Sequence, residues 1–188
     1  MKITMFYIGE GRIEMVVLKV FCLSLILLSS SIMGFLYGGK YRKRLRNLNL
    51  MEQSIRILMS EIIHNSTPLP EAFYRVSKMG DKEFGIVFDT INSSLIKNRE
   101  GDVYISFLAV KEILKERFLL NPDDIEIFLS LGKVIGKTNK MDQEKNFNFV
   151  LEQINYQEEL ARAEKLKYEK MYPSLGIIIG IGIVIIFI

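Results

Sequence analysis

The sequence predicts an all-α protein: an antiparallel bundle of about six helices between an N-terminal and a C-terminal transmembrane helix. Two uncharged apolar runs, residues 20–39 and 171–188, contain 20 and 18 residues. A helix needs roughly 20 apolar residues to cross the hydrocarbon core of a bilayer. Between the two runs, apolar residues recur every three or four positions, which is the period of an amphipathic helix. No stretch alternates cleanly enough to predict a sheet.

Composition divides the chain into five segments. They are an extension before an alternative start at Met15 (1–14), transmembrane helix 1 (15–39), a basic juxtamembrane segment (40–46), a cytosolic helical bundle (47–170) and transmembrane helix 2 (171–188). A cleaved signal peptide is the alternative for residues 15–33. The arginines that follow oppose export of the rest of the chain, so we favour an uncleaved anchor.

Charge predicts the orientation of the chain. Five cations follow the first apolar run within seven residues: Lys40, Arg42, Lys43, Arg44 and Arg46. Positive residues beside a membrane helix stay on the cytosolic side, so the middle of the chain is predicted to be cytosolic and both termini to face outward. Residues 47–170 hold 17 Lys and Arg against 20 Asp and Glu, a net charge of −3. The basic segment is therefore expected to face anionic lipid, and no nucleic-acid partner is expected.

The helices of the bundle follow from apolar spacing and from start and stop signals. The six predicted helices cover residues 41–64, 68–79, 84–95, 103–118, 122–135 and 141–170. Thr67 is predicted to cap the second helix and Asp102 the fourth, because their side-chain oxygens can accept from free backbone amides. Asn121 followed by a proline and two aspartates is a strong start signal for the fifth helix. The sixth is expected to run on toward the second apolar run.

Three features resemble catalytic motifs without meeting their requirements. The segment Gly132 to Thr138 imitates a phosphate-binding loop, but three residues separate its glycines where four are needed, and a helix precedes it instead of a strand. His64 is the only histidine, with no metal-ligand or nucleophile pattern around it. Asp123 and Asp124 are explained by their place at a helix start. We therefore predict no enzyme, no cofactor and no metal site.

Small residues in the apolar runs predict close helix packing. Ser30, Gly34 and Gly38 fall four apart in the first run, and Gly176 and Gly180 do so in the second. This spacing lets helix backbones approach closely in lipid. We expect these residues to support self-association or assembly of a complex, and we expect a homo-oligomer.

Four stretches together resemble the stage III sporulation protein AB family of endospore-forming bacteria. They are the first apolar run with its basic exit, and residues 64–73, 131–143 and 167–176. The resemblance covers residues 15–188. Residues 68–72 and 131–137 are also similar to parts of the cytoplasmic domain of type II secretion F proteins, the inner-membrane platform above a hexameric ATPase.

The resemblance implies a sporulation protein in the mother-cell membrane around the forespore. Its implied partners are the stage III sporulation ATPase AA, other membrane proteins of the stage III sporulation A complex, and membrane lipid. The function expected is a non-enzymatic scaffold that couples this ATPase to membrane channel components. The alternative is a transporter or pore subunit whose own helices conduct. Neither apolar run contains an ionisable residue of the kind that lines conducting paths, that is Asp, Glu, Lys, Arg or His, which disfavours that alternative.

Chain geometry predicts a docking site. Helix one leaves the membrane and its 24 residues extend about 36 Å at about 1.5 Å per residue, while helix six returns. The turns at 64–71 and 136–144 are therefore expected side by side at the far tip of the domain. We predict that the ATPase docks there, with Glu71, Lys137, Lys140 and Asp142 as polar contacts. The alternative is that both turns only cap helices.

Overall fold

The computed structural model describes residues 3–97, 102–136 and 139–187, with side chains from residue 18 onward. Every regular element in these ranges is a helix, so the all-α prediction is confirmed. The elements are α1 (Ile3–Met59), a π-helical turn (Ser60–His64), α2 (Leu69–Met79), α3 (Gly85–Lys97), α4 (Val103–Leu108), α5 (Lys111–Glu116), α6 (Pro122–Val134) and α7 (Lys140–Phe187).

The chain forms two compact units. One, here called the helix pair, contains α1 up to Tyr41 and α7 from Lys165. The other, here called the bundle, contains residues 42–164. The predicted first bundle helix and the first apolar run belong to one helix, α1, and the predicted sixth helix continues into the second apolar run as α7.

Two helices are long and apolar enough to cross a membrane. They cover residues 18–64 and 140–187. In their most apolar windows only 6% and 11% of the residues are buried, whereas the core helix of a soluble protein is mostly buried. Large apolar side chains such as Leu36 and Ile186 are exposed on them. This exposure fits contact with lipid and does not fit a role in a soluble core.

The core of the bundle is built on aromatic contacts and on the predicted apolar stripe of α1. Leu48, Met51, Ile55 and Leu58 recur every three or four residues and are all 0% exposed. Six phenylalanines from the shorter helices and from the turns beside them pack in a connected cluster, with ring centroids 4.9–6.4 Å apart. They are Phe73, Phe84, Phe88, Phe107, Phe118 and Phe128. Truncating one buried phenylalanine to alanine typically costs about 3–5 kcal/mol.

The predicted fourth helix, residues 103–118, is wrong as a single element. The structure breaks it into α4 and α5, with a turn at Ala109 and Val110. Residues 103–107 hold two β-branched and two aromatic residues, whose helix propensity is weak. Tertiary packing therefore decides the path here, and it buries both Phe107 and Val110 completely.

Two of the three predicted helix starts are confirmed. The Asp102 side chain accepts from the Tyr104 amide at 3.2 Å, and Asn121 begins α6 with a capping box. Thr67 does not cap α2, which has Pro68 at its N-cap position. Its hydroxyl instead donates to the Glu61 carboxylate at 2.8 Å. A buried acceptor has therefore replaced the helix amides as the partner of this threonine.

A buried ion pair joins three helices of the bundle. The Arg44 guanidinium on α1, only 5% exposed, donates twice to the Asp124 carboxylate on α6, both times at 2.9 Å. It also donates to Glu164 at 2.8 Å and to Gln157 at 3.0 Å on α7. Burial lowers the pKa of Arg44, but the hydrogen bond and the charge of Asp124 outweigh it, and the net pKa is raised.

This geometry corrects two expectations from the sequence. Arg44, which was expected to face lipid with the rest of the basic segment, is buried in the bundle. Asp124, which is 0% exposed, does more than begin a helix, although its carboxylate also accepts from the Asn121 amide at 2.9 Å. A sequence pattern shows that both residues are charged but not that they meet across 80 positions.

We predict that Asp124→Asn destabilises the protein by about 3–5 kcal/mol, because it leaves the buried Arg44 charge without its main partner. Asp123→Asn is the matched control, since Asp123 is exposed at the same helix start and should cost about 1 kcal/mol or less. Thermal and denaturant unfolding of the detergent-solubilised protein measures both. Equal losses for the two variants would contradict this role of the ion pair.

A second charged contact between α1 and α7 gives the bundle a pH dependence. The pKa of Glu158 is raised from 4.5 to about 7, mainly by burial and secondly by the negative charge of the nearby Glu52. The positive charges of Arg162 and Arg56 lower this pKa but do not outweigh the first two effects. The folded state therefore takes up this proton more readily than the unfolded chain. It gains stability as the pH falls from 7 toward 4.5 and loses it as the pH rises through 7.

We predict that Glu158→Gln stabilises the protein at pH 8 by about 1 kcal/mol, after allowance for solvent screening of a partly exposed group. The gain should shrink toward zero at pH 5, where the native side chain is already neutral. Melting temperatures at the two pH values measure this, with the exposed neighbour Glu159→Gln as the control. A gain that does not change with pH would contradict the assignment.

Candidate functional site

The structure brings two turns of the bundle together. The Lys140 ammonium at the start of α7 lies 3.4 Å from the Ser66 hydroxyl. A Cβ atom at Gly136 would lie 3.2 Å from the Leu69 side chain. We refer to residues 60–71 and 135–142 as the paired turns.

The first of the paired turns has an unusual backbone. After Met59 the helix widens into the π-helical turn, a form that is rare and frequently found at functional sites. Ser66 then adopts a φ of 53°, in the left-handed region that non-glycine residues seldom occupy. Such conformations persist only where the surrounding contacts enforce them.

Glu61 supplies those contacts. Its side chain is 7% exposed and accepts from the Thr67 hydroxyl at 2.8 Å, from Asn65 at 3.1 Å and from Arg75 at 3.1 Å. The Thr67 hydrogen bond, helped by Asn65 and Arg75 and opposed by burial, lowers the pKa of Glu61. Glu61 is therefore charged at neutral pH, and its carboxylate fixes the shape of the turn.

The four residues predicted to contact a partner occupy different settings. Glu71 is exposed and pairs with Arg75 at 2.6 Å, which bridges it to the Glu61 network. Lys140 is exposed at the start of α7. Asp142 is half-buried, 3.9 Å from the Lys145 ammonium. Lys137 lies outside the described residues.

The two glycines of the segment that imitates a phosphate-binding loop have structural roles. A Cβ atom at Gly132 would lie 2.7–2.9 Å from the Phe107 side chain, so glycine is needed for α4 to pack on α6. Gly136 has a φ of 79°, which favours glycine after a helix end. His64 is exposed. Across residues 3–97, 102–136 and 139–187, no group of three His, Cys, Asp or Glu side chains could hold a metal ion.

Within the helix pair, the five small residues lie where α1 meets α7. The Ser30 hydroxyl donates to the Gly176 carbonyl at 2.6 Å. Cβ atoms at Gly34, Gly38 and Gly176 would approach backbone carbonyls of the other helix to 2.6–2.9 Å, and one at Gly180 would meet Leu27 at 3.4 Å. The contact joins the two apolar runs of one chain. A second copy could not use the same face without displacing it, so self-association through these residues would require the pair to open.

A tyrosine cluster in the helix pair was not predicted from the sequence. Its members are four residues apart on each helix, with ring centroids 4.9–6.1 Å apart: Tyr37, Tyr41, Tyr168 and Tyr172. Lys40 lies 4.6 Å from the Tyr37 ring and Lys167 lies 5.0 Å from the Tyr168 ring. Tyrosine is enriched at membrane–water interfaces. The spacing of four residues between the tyrosines of each helix is the sequence signal from which the cluster could have been predicted.

Known proteins with similar sequences and structures identify the family of this chain. The family model described as stage III sporulation protein AB matches residues 19–188. The stage III sporulation protein AB of Bacillus subtilis (strain 168) is 22% identical over 161 residues, which cover 86% of this chain and 94% of that protein. A solved structure of a stage III sporulation protein AB shares the fold, with a TM-score of 0.56, 19% identity, and coverage of 66% of this chain and 98% of that one. Because the family model matches nearly the whole chain, the protein belongs to the stage III sporulation protein AB family.

Proposed function

We propose that this sporulation protein is a non-enzymatic membrane scaffold of a secretion-like channel complex. In this role it couples the cytosolic stage III sporulation ATPase AA to membrane components while the endospore forms. The observation that carries the proposal is the construction of the paired turns. A buried, charged Glu61 and a left-handed Ser66 hold a surface turn in one costly conformation, which points to a binding role more than to a simple connection.

The proposed location is the mother-cell membrane around the forespore, with the bundle in the cytosol and both termini outward. Basic residues flank the inner side of both apolar runs, and cytosolic flanks of membrane helices carry such an excess. After the first run they are Lys40, Arg42, Lys43 and Arg46, and before the second they are Arg162, Lys165, Lys167 and Lys170. The tyrosine cluster lies next to these basic residues in the sequence, which supports a membrane–water interface at this level of the two helices.

In the proposed complex the ATPase docks on the paired turns. Glu71 and Lys140 are exposed there and carry opposite charges, so the surface can match a partner with a mixed charge pattern. Lys137 and Asp142 complete the proposed set. The other membrane proteins of the stage III sporulation A complex and further copies of this chain would bind elsewhere on the surface. The similarity to type II secretion F proteins gives this arrangement its precedent.

The alternative is a transporter or pore subunit whose own helices conduct. A conducting path through the membrane generally needs polar or ionisable lining. Both apolar runs lack Asp, Glu, Lys, Arg and His, and the faces that α1 and α7 turn toward each other are filled by close backbone packing at Gly34 and Gly176. The scaffold is therefore the better supported function.

We predict the topology of the chain as follows. In a Cys22→Ser background, a cysteine at the exposed bundle position Lys111 should be shielded from an impermeant thiol reagent in intact cells and should react after lysis. A reporter fused after Ile188 should be active on the outer face. Reaction at position 111 in intact cells would contradict a cytosolic bundle.

We predict that the double variant Lys137→Glu with Lys140→Glu weakens binding of the full chain to the ATPase by at least about tenfold, because both reversed charges oppose the partner. The matched control is Lys111→Glu with Lys115→Glu, which reverses two exposed lysines on α5. Co-purification and a binding titration measure the effect, and circular dichroism checks the helix content. Undiminished binding by the first variant would remove the docking site, whereas a loss of stability without a loss of binding would show that the turns only cap helices.

A further inference from the structure

Three cations meet at a recess on the bundle. Lys43 and Arg46 of α1 line a cavity of about 190 Å³ together with Arg117, which follows α5. The same cavity is lined by Asn47, Glu83 and Phe118. We refer to it as the basic recess.

The core of the bundle fixes the position of Arg117 in this recess. Asn47, 8% exposed, donates from its side-chain amide to the Phe118 carbonyl at 2.7 Å. The Phe118 ring is 2% exposed and packs edge-on against Phe84, with ring centroids 4.9 Å apart. Arg117 lies between the end of α5 and the buried Phe118. The contacts of Phe118 therefore hold Arg117 in the same recess as Lys43, although the two residues are 74 positions apart in the sequence.

The recess carries an excess of positive charge. Its one carboxylate, Glu83, lies 3.6 Å from the Arg46 guanidinium. Among the residues that the structure describes, the side chains of Lys43 and Arg117 make no ion pair. Three cations against one carboxylate give a net charge of +2, and like charges in one recess favour the binding of an anion.

The position of the recess along α1 indicates the source of the anion. Lys43 follows Gly39, the last residue of the first apolar run, by four positions, and Arg46 follows it by seven. At about 1.5 Å per residue these intervals are about 6 and 10 Å along the helix. The headgroup layer on each side of the hydrocarbon core is roughly 5–8 Å thick. Lys43 therefore reaches the depth of lipid headgroups if α1 spans the bilayer.

We propose that the basic recess binds the phosphate of an anionic phospholipid. Arg117 and Arg46 present planar guanidinium groups, which bind phosphate oxygens through paired hydrogen bonds, and Lys43 adds a point charge. The Glu83 carboxylate can accept from headgroup hydroxyls, which favours a hydroxyl-bearing lipid such as phosphatidylglycerol over phosphatidylcholine. The proposal rests on the membrane topology above and is independent of ATPase docking.

The test titrates the full chain in a neutral detergent with phosphatidylglycerol, phosphatidylcholine or inorganic phosphate. Native mass spectrometry and the shift in melting temperature report binding. Wild-type protein should bind phosphatidylglycerol in preference to phosphatidylcholine. Arg117→Gln should weaken that binding about fivefold, because a cation near a lipid surface contributes about that factor. Lys115→Gln, which removes an exposed lysine two residues away and outside the recess, should leave binding unchanged.

Three outcomes would overturn the proposal. They are full binding by Arg117→Gln, equal weakening by Lys115→Gln, and an equal response to inorganic phosphate, which would make the ligand a soluble anion. If Arg117→Gln does not fold, Lys43→Gln replaces it, since Lys43 is exposed and outside the core contacts. The same fivefold loss is then expected, and its absence would be equally decisive. Loss of ATPase docking in the variants of the paired turns would not change any of these results.

Discussion

The buried charge of Arg44 is the constraint on which the bundle depends. A guanidinium that is removed from water needs hydrogen-bond acceptors, and the placement of α1 against α6 and α7 supplies Asp124, Glu164 and Gln157 together. Apolar packing alone tolerates small slips of one helix along another, whereas these hydrogen bonds do not. Asn47 follows one helical turn later, so the ion pair also sets the contact with the Phe118 carbonyl that positions the basic recess.

A second buried charge, Glu61, ends the bundle segment of α1. Between Arg44 and Glu61 the inward face of α1 is formed mainly by apolar side chains such as Met51 and Ile55, which are 0% exposed. The two charged residues therefore bracket the apolar stripe, and each organises a surface. Arg44 holds α1 against α6 and α7 near the basic recess, and Glu61 fixes the first of the paired turns. Both proposed binding surfaces thus depend on charged residues that are buried in the bundle.

The parts of the fold that the sequence could predict are those that depend on local patterns. The apolar stripe of α1 and the start of α6 follow from helical period and from capping chemistry, and both are present. The break at Ala109 could not be predicted, because no helix breaker stands there and distant packing decides the path. Arg44 was assigned to the lipid-facing segment because a charge count does not distinguish a buried arginine from an exposed one. Arg117 and Glu61 were missed for a related reason, since their roles arise from contacts that the folded chain alone creates.

The small residues of the helix pair allow α1 and α7 of the same chain to pack closely. Lipid provides no hydrophobic force between two apolar helices, so association depends on close packing and on polar contacts. Pro173 cannot donate a hydrogen bond to the Glu169 carbonyl one turn earlier in α7. That carbonyl faces Gly38, where a Cβ atom would lie only 2.9 Å away. Gly38 thus accommodates this backbone oxygen, and the Ser30 hydroxyl donates to another α7 carbonyl further along. Gly34, Gly38, Gly176 and Gly180 are therefore used in packing within the chain. The proposed assembly with other membrane proteins would then use other surfaces, on the outer faces of α1 and α7 or on the bundle.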